Sequence, residues 1–126
     1  IIIIDSPCSS IGTIRRNPEI FYRDSSPNFR DICSIQYKFL NKAKNLVKNN
    51  GLIIYMVCSF LNIEGENQIN RFLNENKNFT LKKFISQDSD IKNLINAKGF
   101  FKTYPIKFRE KFLIDGFFSA QLQKNA

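Results

Sequence analysis

Ile1-Ile2-Ile3-Ile4-Asp5 opens the chain with four β-branched apolar residues that end at a carboxylate. A continuous apolar run of this kind is typical of a strand covered on both faces, as in the parallel sheet of an α/β protein. A second run, Leu52-Ile53-Ile54-Tyr55-Met56-Val57, ends at Cys58. We therefore predict two parallel strands, over residues 1–5 and 52–57.

An amphipathic helix is predicted between these two strands. From Asn28 to Val47, apolar residues recur at helical spacing. Asn28 is the expected N-cap, with Asp31 in the first turn, and Gly51 is the expected left-handed residue after the helix. Strand, long loop, helix and strand form a βαβ unit, whose right-handed crossover brings the carboxyl ends of both strands to one edge of the sheet. Open α/β sheets bind ligands at this edge.

The rest of the chain has weaker patterns, which we assign by period and by turn residues. The assignments are a long loop with one short helical turn over 6–27, a helix from Glu64 to Asn76 capped by Asn62, and strands over 79–84, 100–104 and 115–124. Ser86 to Lys98 is either a surface loop or a marginal helix. The second half of the chain therefore adds antiparallel strands to a parallel start.

Length and composition limit the class of protein. The 126 residues leave room for one domain, and 19 basic against 11 acidic residues give a net charge of +8, which favours a polyanionic partner. Three cysteines with no histidine and no Cys-x-x-Cys pair argue against a standard zinc site and a disulfide framework. No apolar run approaches the ~20 residues of a membrane span. We expect a cytoplasmic protein without a metal.

Thiols and a carboxylate follow the two predicted strands directly. Asp5-Ser6-Pro7-Cys8 follows the first strand and Cys58 the second, so Cys8 and Cys58 are expected to flank one bound small molecule. The alternative is that Asp5 satisfies amides of the turn and that both cysteines are small buried hydrophobes. Spacing alone does not rank the two thiols. Because the chain has no histidine, a thiolate must be activated by local dipoles or cations.

Several motifs together resemble one enzyme family. In chain order they are Ile3-Ile4-Asp5-Ser6-Pro7-Cys8-Ser9-Ser10-Ile11-Gly12-Thr13-Ile14-Arg15-Arg16-Asn17-Pro18, Gln36, Asn50-Gly51-Leu52-Ile53-Ile54-Tyr55-Met56-Val57-Cys58-Ser59, Glu64-Gly65-Glu66-Asn67 and Asp115-Gly116-Phe117-Phe118-Ser119-Ala120. They resemble the Sun/RsmB-type RNA cytosine-5 methyltransferases, and the stretch from Gly12 to Pro18 is most similar to the bacterial enzymes that modify 16S ribosomal RNA. The resemblance implies the C-terminal half of a class I, Rossmann-like catalytic domain that uses S-adenosyl-L-methionine.

The resemblance also implies a covalent reaction at cytosine. A thiolate adds to C6 of the base, which makes C5 nucleophilic enough to take the methyl group. The family pattern assigns this nucleophile to Cys58, and it assigns to Cys8 the release step, in which the C5 proton leaves and the covalent bond breaks. Asp5 would hydrogen-bond N3 of the cytosine, and Asp5 and Pro7 would lie against the cofactor. DNA cytosine-5 methyltransferases use the cysteine of a Pro-Cys motif as nucleophile, so the reverse assignment stays open.

The basic residues suggest where RNA would lie. Arg15 and Arg16 belong to the loop that leaves the ligand edge, and we predict that they contact RNA phosphates, the alternative being a solvated loop. Arg23 and Arg30, in and just after the same loop, could also contact phosphates. Six basic residues are assigned to a solvated face: Lys82, Lys83, Lys102, Lys107, Arg109 and Lys111.

The cofactor site is expected to be incomplete in this chain. Gly12 belongs to no Gly-x-Gly-x-x-Gly pattern, and the first residue is Ile rather than Met. We therefore expect residues 1–126 to be a single partial domain whose partner is the missing N-terminal part of the same enzyme, with little activity in its absence.

Two alternatives to a ribosomal RNA methyltransferase are left open. Transfer RNA could be the substrate, or the chain could be a non-catalytic RNA-binding piece, for which the positive charge and the loop arginines would suffice. A Gly-rich turn encoded in the same frame upstream of Ile1 would distinguish a truncated enzyme from a stand-alone module.

Overall fold

The computed structural model describes residues 1–126, arranged as seven strands and three helices. The strands are β1 Ile2–Asp5, β2 Leu52–Val57, β3 Phe79–Lys82, β4 Phe101–Thr103, β5 Ile106–Phe108, β6 Phe112–Ile114 and β7 Phe117–Lys124. The helices are α1 Phe29–Leu46, α2 Glu66–Glu75 and the single turn α3 Ser89–Lys92. None of the helices is long and apolar enough to span a bilayer.

The main sheet is mixed, with its only parallel pair at one side. β1 and β2 are neighbouring parallel strands, with Ile4 opposite Tyr55 and Asp5 opposite Met56. β7 runs antiparallel to β2, and its other side pairs with β4 near its start and with β3 near its end. The order β1-β2-β7-β3 confirms the predicted α/β fold, with a βαβ unit followed by antiparallel strands.

The core lies between one face of this sheet and the helices α1 and α2. Ile53, Tyr55 and Val57 are completely buried, because the period of 2 in a strand points these alternate residues of β2 to the same face. Leu40 of α1 and Phe72 of α2 pack against that face and are also completely buried. Burying a side chain such as Phe72 contributes about 1.5–3 kcal/mol to stability.

The sequence predicted the start of α1 correctly but not the residue that follows its end. Asn28 caps the helix as predicted, since its side chain accepts a hydrogen bond from the backbone N–H of Asp31 at 3.3 Å. The prediction for Gly51 is wrong, because Asn50 takes the left-handed conformation, with φ of 59°. Asn tolerates this conformation because its short polar side chain hydrogen-bonds locally. Gly51 meets a different requirement, since an added Cβ would lie 2.7 Å from the carbonyl oxygen of Lys48.

Three further predictions are wrong. Asn62 does not cap α2, which begins at Glu66 without a side-chain cap; instead the side chain of Asn62 accepts a hydrogen bond from Lys102 Nζ at 2.6 Å. Lys102 is therefore not on a solvated face: its side chain is only 11% exposed and also pairs with Glu66. Residues 6–27 contain two 3-10 turns, Ile11–Thr13 and Pro18–Tyr22, rather than one.

The hairpin β5–β6 was not predicted. Each strand has only three residues, too few for an alternating pattern to be recognised. The residues of its turn, Arg109 and Glu110, both have positive φ, at 53° and 58°. Such a turn is usually marked by Asn or Gly, and neither occurs here.

Candidate active site

The two cysteines that follow β1 and β2 meet at one edge of the sheet. Cys8 Sγ lies 3.2 Å from Cys58 Sγ. The parallel pairing brings them together: the ladder continues past β1, where the Ser6 N–H donates to the Met56 carbonyl at 3.0 Å. Convergence of the two strand ends was predicted from the βαβ order, and the thiols are in direct contact.

Hydrogen bonding makes the two thiols unequal. The hydrogen bond from the Cys8 thiol lowers the pKa of Cys58 to about 6, and the Ser10 hydroxyl, 3.7 Å from Cys58 Sγ, acts in the same direction, whereas burial opposes both. The pKa of Cys8 is raised, chiefly by its hydrogen bond to Cys58 and then by burial. The Ser10 hydroxyl lies nearer to Cys58 Sγ, at 3.7 Å, than to Cys8 Sγ, at 4.0 Å, which favours a thiolate on Cys58 and a proton on Cys8. A thiol and a hydroxyl supply the local dipoles that a chain without histidine needs.

We predict that Cys58 will be the most readily alkylated cysteine near neutral pH. Because the thiolate is the form that reacts, the rate of alkylation by iodoacetamide should reach half of its maximum near pH 6 and stay constant at higher pH. Burial raises the pKa of Cys33, so its labelling should still be increasing at about pH 9. Mass spectrometry of labelled peptides across about pH 5–10 measures both curves.

A matched variant tests the cause of this low pKa. Cys8→Ala removes the hydrogen-bond donor, so the midpoint for Cys58 should move upward, toward the ordinary thiol range. A wild-type midpoint equal to that of Cys33 would contradict the activation of Cys58.

Asp5 and Pro7 lie exposed beside the thiol pair. Asp5 ends β1, and its carboxylate forms no ion pair and no side-chain hydrogen bond in the structure. Asp5 pairs in the parallel ladder with Met56, two residues before Cys58. The carbonyl of Pro7 accepts a hydrogen bond from Gln36 Nε2 at 3.0 Å, which fixes the turn. A carboxylate without a partner at this position can form an ion pair with the amino group of a bound amino-acid moiety.

A completely buried carboxylate, Glu64, fastens the loop that carries Cys8. It accepts hydrogen bonds from the backbone N–H of Ser9 at 2.7 Å, from the Ser9 hydroxyl at 2.6 Å and from Gln36 Nε2 at 3.2 Å. The Tyr55 hydroxyl donates to the backbone oxygen of Glu64 at 2.7 Å. These hydrogen bonds fix the loop after β1 relative to the segment after β2, which positions the two thiols.

Two glycines bring three backbone segments into contact next to Cys58. The Gly12 N–H donates to the Cys58 carbonyl at 3.0 Å, and the Gly116 N–H donates to the Gly12 carbonyl at 2.7 Å. A Cβ on Gly12 would lie 1.9 Å from the Gly116 carbonyl oxygen. The loop after β1, the end of β2 and the start of β7 can therefore approach this closely only without side chains.

Arg15 and Arg16 share one carboxylate on the same edge. Arg15 Nη2 lies 3.3 Å and Arg16 Nε 2.6 Å from the carboxylate of Asp115. Two positive charges on one negative charge leave an excess of +1, and the Arg16 side chain is 64% exposed. Phosphate contact by these arginines stays a prediction. No group of three His, Cys, Asp or Glu residues is placed to hold a metal ion.

The geometry agrees with a known family. The family model for the 16S rRNA methyltransferase RsmB/F matches residues 1–123. The chain belongs to this family. The Sun/RsmB resemblance is thereby confirmed.

Individual RsmB/F relatives match over most of this chain but over little of their own length. Probable ribosomal RNA small subunit methyltransferase B of Synechocystis sp. is 29% identical over 97% of this chain and 26% of the relative. Ribosomal RNA small subunit methyltransferase B of Enterobacter sp. is 33% identical over 84% of this chain and 26% of the relative. The solved structure of PH0851 superposes on this chain with a TM-score of 0.81 and is 31% identical in sequence. The match covers 97% of this chain and 26% of PH0851. The chain thus spans about a quarter of the length of these proteins.

Sequence reasoning on this RsmB/F chain missed the buried network of Glu64, Gln36 and Ser9. Glu64 and Gln36 were among the residues that carry the family resemblance, which was the available signal, but neither received a role. Helical periodicity made Glu64 the first residue of a helix and did not include it in the buried side, whereas it is completely buried. Glu is rarely buried unless it is paired, and its partner Ser9 lies 55 positions away in the sequence.

Proposed function

We propose that the intact enzyme containing this chain methylates C5 of a cytosine in 16S ribosomal RNA, with S-adenosyl-L-methionine as methyl donor. The observation that carries the proposal is the Cys8–Cys58 pair, with a 3.2 Å Sγ–Sγ distance at the carboxyl ends of two parallel strands of an RsmB/F chain. When bound, S-adenosyl-L-methionine supplies an electrophilic methyl group.

Cys58 is proposed as the nucleophile. Its thiolate forms a bond to C6 of the cytosine, and the electron pair of the C5–C6 double bond becomes available at C5 for methylation. The low pKa of Cys58 supports this role, because the attacking form is present at neutral pH.

Cys8 is proposed to act after methyl transfer, and its environment changes at that point. The hydrogen bond to Cys58 is the largest cause of its raised pKa. Once Cys58 is bonded to carbon, it no longer accepts this hydrogen bond strongly, so Cys8 can release its proton to solvent more readily. The Cys8 thiolate then removes the C5 proton, the C5–C6 double bond re-forms, and Cys58 leaves as a thiolate.

Asp5 and Pro7 are proposed to bind the cofactor and the base. The exposed, unpaired carboxylate of Asp5 can hold the amino group at the methionine end of S-adenosyl-L-methionine and hydrogen-bond N3 of the cytosine as charge develops there. Pro7 is exposed in the adjacent turn and would contact the cofactor.

The remainder of the cofactor site is proposed to lie in a preceding part of the same enzyme that packs against β1. β1 has a neighbour on one side only, and Ile1 and Ile3 are 85% and 62% exposed. Phe39 and Leu46 of α1 extend this apolar surface at 44% and 66% exposure. An uncovered apolar edge strand is an association surface. Residues 1–126 are thus proposed as one partial domain that is nearly inactive without that part.

Bisulfite sequencing of RNA tests the proposed function. In cells that lack the gene, one 5-methylcytosine of 16S ribosomal RNA should be lost, and wild-type enzyme supplied from a plasmid should restore it, whereas Cys58→Ala should not. If every 5-methylcytosine in ribosomal RNA is intact in these cells, the proposal is wrong. Loss of a 5-methylcytosine in transfer RNA instead would identify that substrate. The cytoplasmic location stays a prediction.

We predict that replacing both Arg15 and Arg16 with alanine will weaken RNA binding regardless of sequence. Because each phosphate contact on a single strand contributes about 0.7 to the slope of log affinity against log salt, the slope should fall by up to about 1.4. Filter binding at several salt concentrations measures it. Lys77→Ala/Lys82→Ala, on the β3 side of the sheet, is the control and should leave the slope near that of the wild type. Equal slopes for both double variants would contradict the phosphate contact.

A further inference from the structure

Phe60 and Tyr104 form an aromatic pair that the proposed reaction does not use. Their ring centroids are 5.6 Å apart, and the ring planes are inclined by 42°. Tyr104 is 48% exposed and Phe60 is partly exposed, so neither ring belongs to the hydrophobic core. Phe60 comes two residues after Cys58, and Tyr104 directly follows β4.

Backbone contacts connect this pair to the reactive cysteine. Gly116 packs so closely on the Phe60 ring that an added Cβ would lie 2.5 Å from it. The Gly116 N–H donates to the Gly12 carbonyl, and the Gly12 N–H donates to the Cys58 carbonyl. The aromatic pair therefore lies on the same edge of the sheet as Cys58, and two glycines hold it there.

Positive charge borders the pair. The Thr103 hydroxyl, next to Tyr104 in sequence, donates to the Asp115 backbone oxygen at 2.7 Å, and the carboxylate of Asp115 holds both loop arginines. Lys102 Nζ lies 5.7 Å from the centroid of the Tyr104 ring, but it is held by Asn62 and Glu66, so the cations available to a phosphate here are the two arginines. Exposed aromatic rings flanked by basic side chains are the combination that binds single-stranded nucleic acid, in which bases stack on the rings and phosphates face the cations.

We propose that Phe60 and Tyr104 stack on a nucleobase adjacent to the target cytosine. This inference rests on the proposed function, because it assumes that the RNA strand passes Cys58. An enzyme that attacks C6 of a base must first take that base out of its stack, and the neighbouring base then loses a stacking partner. The aromatic pair replaces that partner. It holds the strand open next to Cys58 and recognises single-stranded rather than helical RNA.

Photo-crosslinking of the intact enzyme tests this contact directly. The probe is an RNA oligonucleotide that contains the target cytosine with 5-iodouridine as its neighbour, because a halogenated base crosslinks to an aromatic ring on which it stacks. We expect crosslinks to Tyr104 or Phe60, identified by mass spectrometry of the peptides. Crosslinks only to other residues would overturn the inference.

Variants separate stacking from simple packing. Tyr104→Leu keeps an apolar side chain but removes the ring face, so the KM for RNA should rise about 10-fold with little change in kcat. Tyr104→Phe should behave like the wild type. Phe112→Leu, at another exposed aromatic residue, is the control and should also leave the KM unchanged.

The outcomes distinguish this inference from the proposed function. If Tyr104→Leu leaves both the crosslink pattern and the KM unchanged, or if Phe112→Leu raises the KM equally, the stacking site is wrong, whether or not the enzyme methylates cytosine. If the probe crosslinks to Tyr104 but the wild-type enzyme methylates no RNA, the stacking site stands and the proposed function is wrong.

Discussion

Cys58→Ala in the intact enzyme is expected to abolish both methylation and covalent capture of RNA. Without the thiolate, no bond to C6 forms and C5 stays a weak nucleophile. Loss of a nucleophile in covalent catalysis lowers the rate by about 10⁴- to 10⁶-fold. Methyl transfer from labelled cofactor to RNA measures the first effect, and a protein–RNA band on a denaturing gel measures the second.

Cys8→Ala is expected to have the opposite effect on the covalent complex. The adduct can still form on Cys58, but no thiolate removes the C5 proton, so the protein–RNA band should accumulate. Near neutral pH, the adduct should form more slowly in Cys8→Ala than it first forms in the wild type, because Cys58 loses the hydrogen bond that lowers its pKa. Cys33→Ala, a cysteine outside the thiol pair, should leave both readouts unchanged.

Two results would contradict these assignments. If Cys58→Ala captures RNA while Cys8→Ala does not, the roles of the two cysteines are reversed. If neither variant nor the wild type ever forms an adduct, the covalent mechanism is wrong.

Gly12→Ala is expected to give the second large effect, although it removes no reactive group. The added methyl group would lie 1.9 Å from the Gly116 carbonyl oxygen and 2.8 Å from the Cys58 carbonyl oxygen. Both are backbone atoms, which cannot rotate away as a side chain can, so the three segments must separate. We expect the free energy of unfolding to fall by about 3 kcal/mol, at the upper end for overpacking. Adduct formation should fall as well, because the edge that carries Cys58 is displaced.

Urea denaturation and the denaturing-gel assay measure these two effects of Gly12→Ala. Ile11→Val, one residue earlier in the same loop, is the control and should cost about 1 kcal/mol or less. Wild-type stability and wild-type adduct formation in Gly12→Ala would show that the three backbone segments do not need this close approach.

The sequence was sufficient to predict the βαβ unit because its signals are local. The apolar runs of β1 and β2 and the helical period of α1 are each visible within one segment, and Asn28 marks the start of α1. The convergence of the strand ends that carry Cys8 and Cys58 then follows from the parallel pairing that a βαβ unit imposes. It needed no knowledge of any side-chain contact.

Features that depend on distant partners could not be predicted in the same way. Glu64 is buried because Ser9 and Gln36 satisfy its carboxylate. Lys102 is covered because Asn62 and Glu66 bind it from another part of the chain. The hydrophobic periodicity of a sequence does not reveal such pairs. Lys102 was therefore assigned to a solvated face, where most lysines are found, and Glu64 received no partner.

The short distance between Cys8 and Cys58 also makes the pair sensitive to oxidants. The Cys58 thiolate can attack a peroxide, which leaves a sulfenic acid on Cys58 and releases hydroxide or water. The Cys8 thiol, 3.2 Å away, then displaces the sulfenic oxygen as water, so that two electrons pass to the peroxide and the two sulfurs become bonded to each other. Neither sulfur can then react with cytosine. We therefore expect the activity proposed for the intact enzyme to depend on a thiol reductant, so that dithiothreitol restores it after exposure to peroxide.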